Sequence, residues 1–342
     1  MRAVVVREFG PPEVLEPAEV AEVRAGPGEA VIDVEFANVT FVETQIRAGR
    51  APHPSMLPAL PAILGNGVGG RVAQVGAGSG AGAGSEAGAG SGAGASPKAG
   101  AGLAGRQVVA SLNGTGGYAE RVAVDAGRLI EVPDGMALRE AVALLADGRT
   151  ALALAGRAEL RAGDTVLVEA AAGGVGTLLV QIARNAGARV VALAGQERKL
   201  AVARDLGADV AVNYGGDDWP ARVREAVGQV DVVFDGVGGD IGRDAFGLLG
   251  EGGRFCAFGM ASGGFTPVTP ELARACGVAL LQGAGASPQD LAALARAALA
   301  EAAAGRIRPV IGQEFGLAEA SAAHAAIEAR ATIGKTLLTV AR

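Results

Sequence analysis

The chain has 342 residues, of which 50% are hydrophobic and 19% charged, and a net charge of −6 at pH 7. This length and apolar content suggest about two domains with buried cores. The negative net charge argues against a nucleic-acid partner, because binding a phosphate backbone needs a basic face. Two cysteines are too few for a disulfide framework. Charged residues interrupt the alanine-rich stretches before they reach membrane-spanning length. We expect a soluble, cytoplasmic protein with no membrane partner.

The first part of the chain alternates short apolar runs with Gly and Pro. This pattern predicts a mostly antiparallel, barrel-like domain. The predicted strands are Ala3–Val6, Ala30–Phe36, Gly70–Val75, Val108–Leu112 and Ala119–Val124. Residues 76–105 are almost wholly Gly, Ala and Ser, have little surface to bury, and predict a flexible loop.

A glycine-rich turn follows the apolar run Thr165–Val168. It reads Gly173-Gly174-Val175-Gly176 and precedes a helical pattern. Small residues there let the backbone approach a pyrophosphate, and the helix N-terminus directs its partial positive charge at the phosphates. Glycine also forms turns for purely structural reasons, but a second strand at Arg189–Leu193 completes a strand–helix–strand unit. The turn therefore predicts a dinucleotide site.

Further apolar strands alternate with helical segments after the turn. We predict strands at 209–212, 230–234, 253–258 and 278–281, with helices near 197–206, 219–227 and 240–249. Six such strands predict an α/β fold with a parallel, doubly wound sheet. Helices near 288–304 and 317–329 and a strand at 335–340 are expected to return to the first domain. The last sheet strand, at 278–281, is a short apolar edge that could pair across a two-fold axis, which predicts a homodimer.

Taken end to end, the chain resembles the zinc-independent, zeta-crystallin-like quinone oxidoreductase branch of the medium-chain dehydrogenase/reductase superfamily. Besides the glycine turn, the resembling segments are Arg2–Gly10, Asn38–Gly49, Leu64–Gly70, Val232–Gly239, Gly253–Gly264 and 305–340. The resemblance implies a GroES-like, mostly antiparallel β-barrel catalytic domain over residues 1–126 and 285–342. It implies a Rossmann domain over residues 127–284. The implied activity is reduction by NADPH of a quinone or of a double bond conjugated to a carbonyl.

The residues at the superfamily's zinc positions argue against a metal. A catalytic zinc needs three side-chain ligands. The alcohol-dehydrogenase relatives have a Cys and a His-Glu pair where this chain has Thr40 and Asn66-Gly67. His53 and His324 have no ligand partner at metal spacing, and we interpret them as surface or helix-face residues. We predict that the protein holds no metal.

The end of the second sheet strand favours NADPH. An NAD site carries a carboxylate about twenty residues beyond the turn, which would repel a 2′-phosphate. Here the chain has Gly195, followed by Arg198 and Lys199, two cations able to face a phosphate. The alternative is that both cations are ordinary solvent-exposed residues at the start of a helix. The nearby carboxylate of Glu197 also counts against a phosphate at this position. In the resembled family, residues matching Lys199 and Tyr214 hold the phosphate.

The resemblance implies further cofactor contacts. These contacts are Thr150, Val175, Val237, Phe258 and Gly259.

Candidate catalytic residues are fewer, because hydride transfer is carried by the cofactor while the protein positions and polarises the acceptor. Asp147 and Arg149 interrupt an apolar helix at 141–146. Arg149 would polarise a substrate carbonyl and Asp147 would orient it. The alternative is a helix-terminal salt bridge without a catalytic part. Thr40 is a third catalytic candidate.

The candidate pocket side chains are Asn38, Gln45 and Asn66. Related enoyl reductases carry a proton-donating tyrosine shortly after the position of Gly49, where this chain has none. Two alternative functions stay open. One is a biosynthetic enoyl or enone reductase of a polyketide-type substrate, and the other is a non-catalytic, crystallin-like NADPH-binding protein.

Overall fold

The structure is a computed structural model that describes residues 1–77, 102–112, 114–282 and 288–340. Most of the loop predicted at 76–105 therefore lies outside the described residues. Within the described ranges, no helix is both long and apolar enough to cross a membrane.

The chain divides into two compact units. The first comprises Met1–Leu145, Gln313–Ala331 and Thr336–Arg342, and the second comprises Ala146–Gly312 and Thr332–Lys335. This division differs from the predicted boundaries, since it falls after residue 145 rather than 126 and gives residues 288–312 to the second unit. Hydrogen bonds give the reason: Gln181 bonds both the amide and the carbonyl of Arg308, and Asn185 donates to the carbonyl of Arg306.

The first unit is built from antiparallel strands around one apolar core. The strands are β1 (Arg2–Val6), β2 (Leu15–Glu19), β3 (Glu29–Val39), β4 (Ala62–Ile63), β5 (Gly67–Val75), β6 (Gln107–Ser111), β7 (Arg121–Asp125) and β8 (Ile130–Glu131), with β15 (Ile311–Gly316) and β16 (Lys335–Thr339) near the C-terminal end. One sheet has the order β2-β1-β4, and the other has the order β15-β16-β3-β5-β6-β8 with β7 also on β3. The helices are α1 (Phe41–Arg47), α9 (Ala320–Glu328) and the first part of α2 (Leu138–Ala158).

The second unit is a six-stranded parallel sheet. Its strands are β9 (Thr165–Val168), β10 (Arg189–Ala194), β11 (Val210–Asn213), β12 (Val230–Asp235), β13 (Leu249–Ala257) and β14 (Ala279–Gln282). The order β11-β10-β9-β12-β13-β14 reverses between β9 and β12. The strands are nearly continuous apolar runs because helices cover both faces of the sheet. These helices are α3 (Gly174–Asn185), α4 (Glu197–Asp205), α5 (Trp219–Val227), α6 (Gly239–Phe246), α7 (Pro270–Ala275) and α8 (Pro288–Ala303).

Both predicted fold classes are confirmed, and the differences in element bounds have local causes. Helix α6 ends at Phe246, and β13 begins at Leu249 rather than at 253. The pairing of β12 with β13 shifts register near this start, where Gly252 has a φ of 78°. A glycine in the left-handed region marks a bulge here, which the apolar pattern does not reveal.

Candidate functional site

The glycine turn lies at the carboxyl end of β9, next to the point where the strand order reverses. Ligands of such sheets bind at this position. Gly173 caps α3, and the amides of Gly174, Val175 and Gly176 form its first turn, where a helix leaves amides without intrahelical acceptors. A Cβ at Gly176 would overlap the carbonyl of Ala170. The turn is therefore fixed by the chain's own packing and presents amides suited to an anion.

A buried ion pair packs against this turn. A Cβ at Gly174 would overlap Asp147 Oδ2, and Lys335 Nζ lies 3.1 Å from Asp147 Oδ1. The two charged side chains are 13% and 4% exposed. The sequence interpretation missed Lys335, because a lysine that opens a strand gives no signal of a distant partner.

Helix α2 is longer than the sequence interpretation assumed. It runs from Leu138 to Ala158, so Asp147, Arg149 and Thr150 lie in its interior. The expectation of a helix-terminal pair is corrected: Asp147 pairs with Lys335 instead of ending a helix. Thr150 Oγ1 donates to the carbonyl of Ala146. Arg149 is half-buried and has an interaction partner of its own.

Four of the predicted cofactor residues lie at or just after the ends of β10 and β11. Gly195 is exposed, and a Cβ there would lie 3.2 Å from the ring of Tyr214. Arg198 is exposed at the start of α4, where its Nε donates to Gln196. Lys199 follows it and is half-buried. The nearby carboxylate of Glu197 is paired with Arg204. The strand end thus offers space, an aromatic ring and cations.

The loops after β12 and β13 interlock at the same edge of the sheet. The amides of Phe258 and Gly259 donate to the carbonyl of Asp235, and Ser262 donates to the carbonyl of Val237. Gly236 leaves room for the ring of Phe258, since a Cβ there would lie 3.0 Å from it. Val237, Phe258 and Gly259, all predicted cofactor contacts, are therefore held close together.

In the first unit, two of the predicted site residues, Thr40 and Asn66, contact a buried carboxylate, Glu43. Glu43 Oε2 accepts from the amide and the hydroxyl of Thr40, and Oε1 accepts from the amide of Asn66 (2.7 Å). Thr40 is the N-cap of α1 and forms a capping box with Glu43. The Thr-x-x-Glu spacing was a signal that the sequence interpretation left unused. The structure therefore gives Thr40 a structural role.

Asn38 and Gln45 are also buried. Gln45 Nε2 donates to Thr44 Oγ1, and the side chain of Asn38 fills the space that a Cβ at Gly67 would occupy. Asn66 is half-buried, and its Oδ1 accepts from the amide of Gly114. Of the three predicted pocket side chains, Asn66 is the most accessible.

A second polar network extends from Glu43 into the core. The hydroxyl of Tyr118 lies 3.3 Å from Glu43 Oε2 and 3.0 Å from His324 Nε2. Burial, and to a smaller extent the positive charge of Arg47, lower the pKa of His324 to about 3. Burial also raises the pKa of Tyr118, to which the charge of Glu43 adds. Of the two expected settings, the surface or a helix face, His324 has the second: it lies on α9, and it is fully buried.

An open cavity of about 870 Å³ lies in the first unit beside Asn66. Its wall includes Ile46, Met56, Ile63 and Leu112. Among the described residues that line it, none is charged. In the described part of the chain, no three His, Cys, Asp or Glu side chains are placed to hold a metal ion.

Two protein-family models match the chain. One is described as an alcohol dehydrogenase GroES-like domain and matches residues 26–134, and the other is described as a zinc-binding dehydrogenase and matches residues 174–299. With the antiparallel first unit and the glycine turn of the second, these matches define the class: a dehydrogenase or reductase of the medium-chain type.

Three known proteins are similar over nearly the whole chain. The quinone oxidoreductase of Pseudomonas aeruginosa is 30% identical over 338 residues, which cover 96% of this chain and 97% of that protein. The 2-haloacrylate reductase of Burkholderia sp. is 29% identical, covering 98% of each. A mycobacterial protein solved with NADPH has a TM-score of 0.84 at 32% identity, covering 99% of this chain and 100% of that one. The chain therefore belongs to the zinc-independent quinone oxidoreductase branch of the medium-chain dehydrogenase/reductase superfamily.

Proposed function

We propose that this protein is an NADPH-dependent oxidoreductase that transfers a hydride to a quinone or to a double bond conjugated to a carbonyl. The cofactor assignment depends on the residues at the end of β10. Gly195 stands where an NAD site needs a carboxylate, with the ring of Tyr214 against it and Arg198 and Lys199 beside it. Membership of the quinone oxidoreductase branch and the mycobacterial neighbour with NADPH support the same assignment.

The residues present fit this cofactor. The amides of Gly174, Val175 and Gly176 would hold the pyrophosphate at the N-terminus of α3. Arg198, Lys199 and Tyr214 would hold the 2′-phosphate. Thr150, Val237, Phe258 and Gly259 would line the rest of the dinucleotide site. When bound, the nicotinamide supplies the hydride, and the chain's own residues bind and orient it.

The acceptor site is proposed in the first unit, in the cavity beside Asn66. Its lining mixes apolar and uncharged polar side chains, so burying an ionised acceptor there would cost desolvation energy without an opposite charge to compensate it. An uncharged, planar quinone or enone fits this lining. The side-chain amide of Asn66, which lines the cavity, can orient the carbonyl of the acceptor.

Cofactor choice is tested by comparing kcat/KM with NADPH and with NADH. We expect a clear preference for NADPH, and the double variant Arg198→Ala with Lys199→Ala should raise KM for NADPH at least tenfold while leaving NADH unchanged. Arg222→Ala is the matched control, because it removes an exposed cation of a different helix, α5. Equal efficiency with both cofactors in the unaltered protein would contradict the assignment.

Acceptor class is tested by following NADPH consumption with matched acceptors. A neutral quinone should give a kcat/KM at least tenfold above that of the same quinone carrying a sulfonate. Reduction of enones but not quinones would favour the second candidate, an enone reductase, which the similarity to a 2-haloacrylate reductase supports. NADPH binding without consumption by any acceptor would favour the non-catalytic alternative.

The proposal includes the metal content of the protein. We propose no catalytic zinc, since Thr40 and Asn66 stand at the ligand positions and are engaged with Glu43. Elemental analysis that found stoichiometric zinc would refute this.

We also propose a homodimer through β14, which is an edge strand of the parallel sheet, and light scattering tests it. A cytoplasmic location is supported by two free cysteines, and fractionation of the source cells tests it.

A further inference from the structure

Two carboxyl side chains that the proposed function does not use lie at the reversal point of the parallel sheet. Glu169 directly follows β9, and Asp235 ends the neighbouring strand β12. Val168 and Phe234 are paired in the register, so the next residues along each strand, Glu169 and Asp235, are neighbours. Both are fully buried. Two adjacent buried carboxylates would repel each other strongly, which requires an explanation.

The hydrogen bonds distinguish the two groups. Asp235 Oδ1 accepts from the amide of Gly238 (2.7 Å), and Oδ2 accepts from the hydroxyl of Thr266 (2.5 Å). Glu169 Oε2 accepts from the amide of Val237 (3.0 Å), whereas Oε1 is buried and receives no donor within the described residues. A carboxylate oxygen without a donor is costly to bury, but a protonated oxygen can donate.

The surroundings decide which group keeps the negative charge. Gly238 is the N-cap of α6, so Asp235 accepts a hydrogen bond from the positive end of a helix, which stabilises an anion. The charged residues of α6 near this end, Asp240 and Arg243, pair with each other and are 83% and 58% exposed. The loop at 258–268 carries no charged residue. Burial raises the pKa of Glu169 well above its ordinary value, and the negative charge of Asp235 raises it further.

We propose that Glu169 is a neutral carboxylic acid that donates a hydrogen bond to ionised Asp235, and that this carboxyl pair positions the backbone of Val237 and Gly238 at the dinucleotide site. Each member of the pair accepts from one of these two consecutive amides. Glu169 also lies four residues before the glycine turn. The pair therefore ties the loop after β12 to the strand that carries the turn. The second part of the proposal rests on the proposed function; the protonation does not.

The protonation is tested by the pH dependence of unfolding, which needs no cofactor. Glu169→Gln keeps an acceptor for Val237 and a donor for Asp235 without a titrating group. The unfolded glutamate releases its proton near pH 4.3 while the folded one retains it, so stability falls as pH rises towards the folded pKa. We expect the ratio of unfolding constants, wild type over variant, to rise about tenfold per pH unit above about pH 5.

Glu225→Gln on the exposed face of α5 is the matched control and should show a constant ratio to wild type. A constant ratio for Glu169→Gln from about pH 5 to 8 would overturn the neutral acid. The infrared band of a protonated carboxyl group gives a second readout. It should be present in wild type at neutral pH and lost in Glu169→Gln.

The positioning role is tested by NADPH affinity, measured by cofactor fluorescence without an acceptor. Glu169→Gln should keep the Kd within twofold, whereas Glu169→Leu should raise it at least tenfold because Val237 and Asp235 both lose their partner. Glu169→Met replaces it if the leucine variant does not fold. Wild-type affinity in the folded Leu or Met variant would overturn positioning. Failure of wild type to bind NADPH would refute the proposed function and the positioning role, while the pH test still decides protonation.

Discussion

Each unit buries a titratable side chain in its neutral form, but the two are placed differently. His324 of α9 lies in the core of the first unit, where its ring contacts Tyr118 edge-on, and the hydroxyl of Tyr118 also reaches Glu43 of α1. Glu169 lies at the end of a strand in the second unit, beside the glycine turn. The first unit thus uses its buried polar groups to hold the fold together. The second places them where loops must be oriented for a ligand.

The largest expected effect comes from breaking the ion pair at the glycine turn. Lys335→Met leaves the carboxylate of Asp147 buried and uncompensated, which should lower the free energy of unfolding by about 3–5 kcal/mol. Denaturant unfolding measures this, and NADPH titration measures the effect on the turn. Lys335→Arg keeps the charge and is the control. A loss below about 1 kcal/mol would mean that solvent compensates Asp147, as at an exposed pair.

Acid should destabilise the first unit through His324. The folded pKa of about 3 lies below the unfolded value of about 6.5, so the unfolded state binds a proton that the folded state excludes. Stability is fully present above about pH 6.5 and is lost as pH falls, by roughly 2 kcal/mol at about pH 5. This is the opposite sign to Glu169.

His324→Gln should remove that acid dependence, while His53→Gln, at an exposed histidine of the same unit, should keep it. Unfolding curves between about pH 5 and 8 measure both. If the free energies of unfolding of wild type and His324→Gln changed in parallel with pH, protonation of the buried ring would cost no stability. The comparison of His324 in the first unit with Glu169 in the second would then fail.

The variant Arg149→Ala distinguishes a catalytic from a structural role for this arginine of the second unit. If it polarises the acceptor carbonyl, Arg149→Ala should lower kcat at least tenfold, about 1.4 kcal/mol in activation free energy, with the Kd for NADPH unchanged. Steady-state kinetics and cofactor titration measure the two quantities. An unchanged kcat with reduced stability would return Arg149 to a structural role.

The smallest effect is expected at Thr40. Thr40→Ala removes the N-cap of α1 and should cost about 1 kcal/mol of stability while leaving kcat within twofold. Thr40→Ser keeps the hydroxyl and serves as control. A tenfold fall in kcat at unchanged stability would restore Thr40 as a catalytic residue and would contradict the structural role of the first unit's polar groups.

Much of the second unit could be predicted because its signals are local. Helix α5 agrees with the predicted 219–227, and the strand before the turn agrees with Thr165–Val168. A buried parallel strand needs a continuous apolar run, and a turn between strand and helix needs small residues. Both requirements can be recognised from residues that are adjacent in the sequence.

The site residues that were missed depend on distant partners. Glu43 contacts Asn66 and Tyr118, which lie 23 and 75 residues further along the chain. Lys335 meets Asp147 across 188 residues. No spacing rule connects such positions, because only the folded sheets and helices bring them within hydrogen-bond distance.

The two fold classes, the glycine turn and the missing carboxylate at Gly195 can be recognised from the sequence, because each depends on the residue types at a local position. Which polar groups are buried, what they contact and which of them carry charge depend on the tertiary structure. Thr40 became a helix cap, His324 a neutral core residue and Glu169 a neighbour of Asp235. Burial and long-range pairing set the protonation and the role of a side chain, and neither is contained in its immediate sequence.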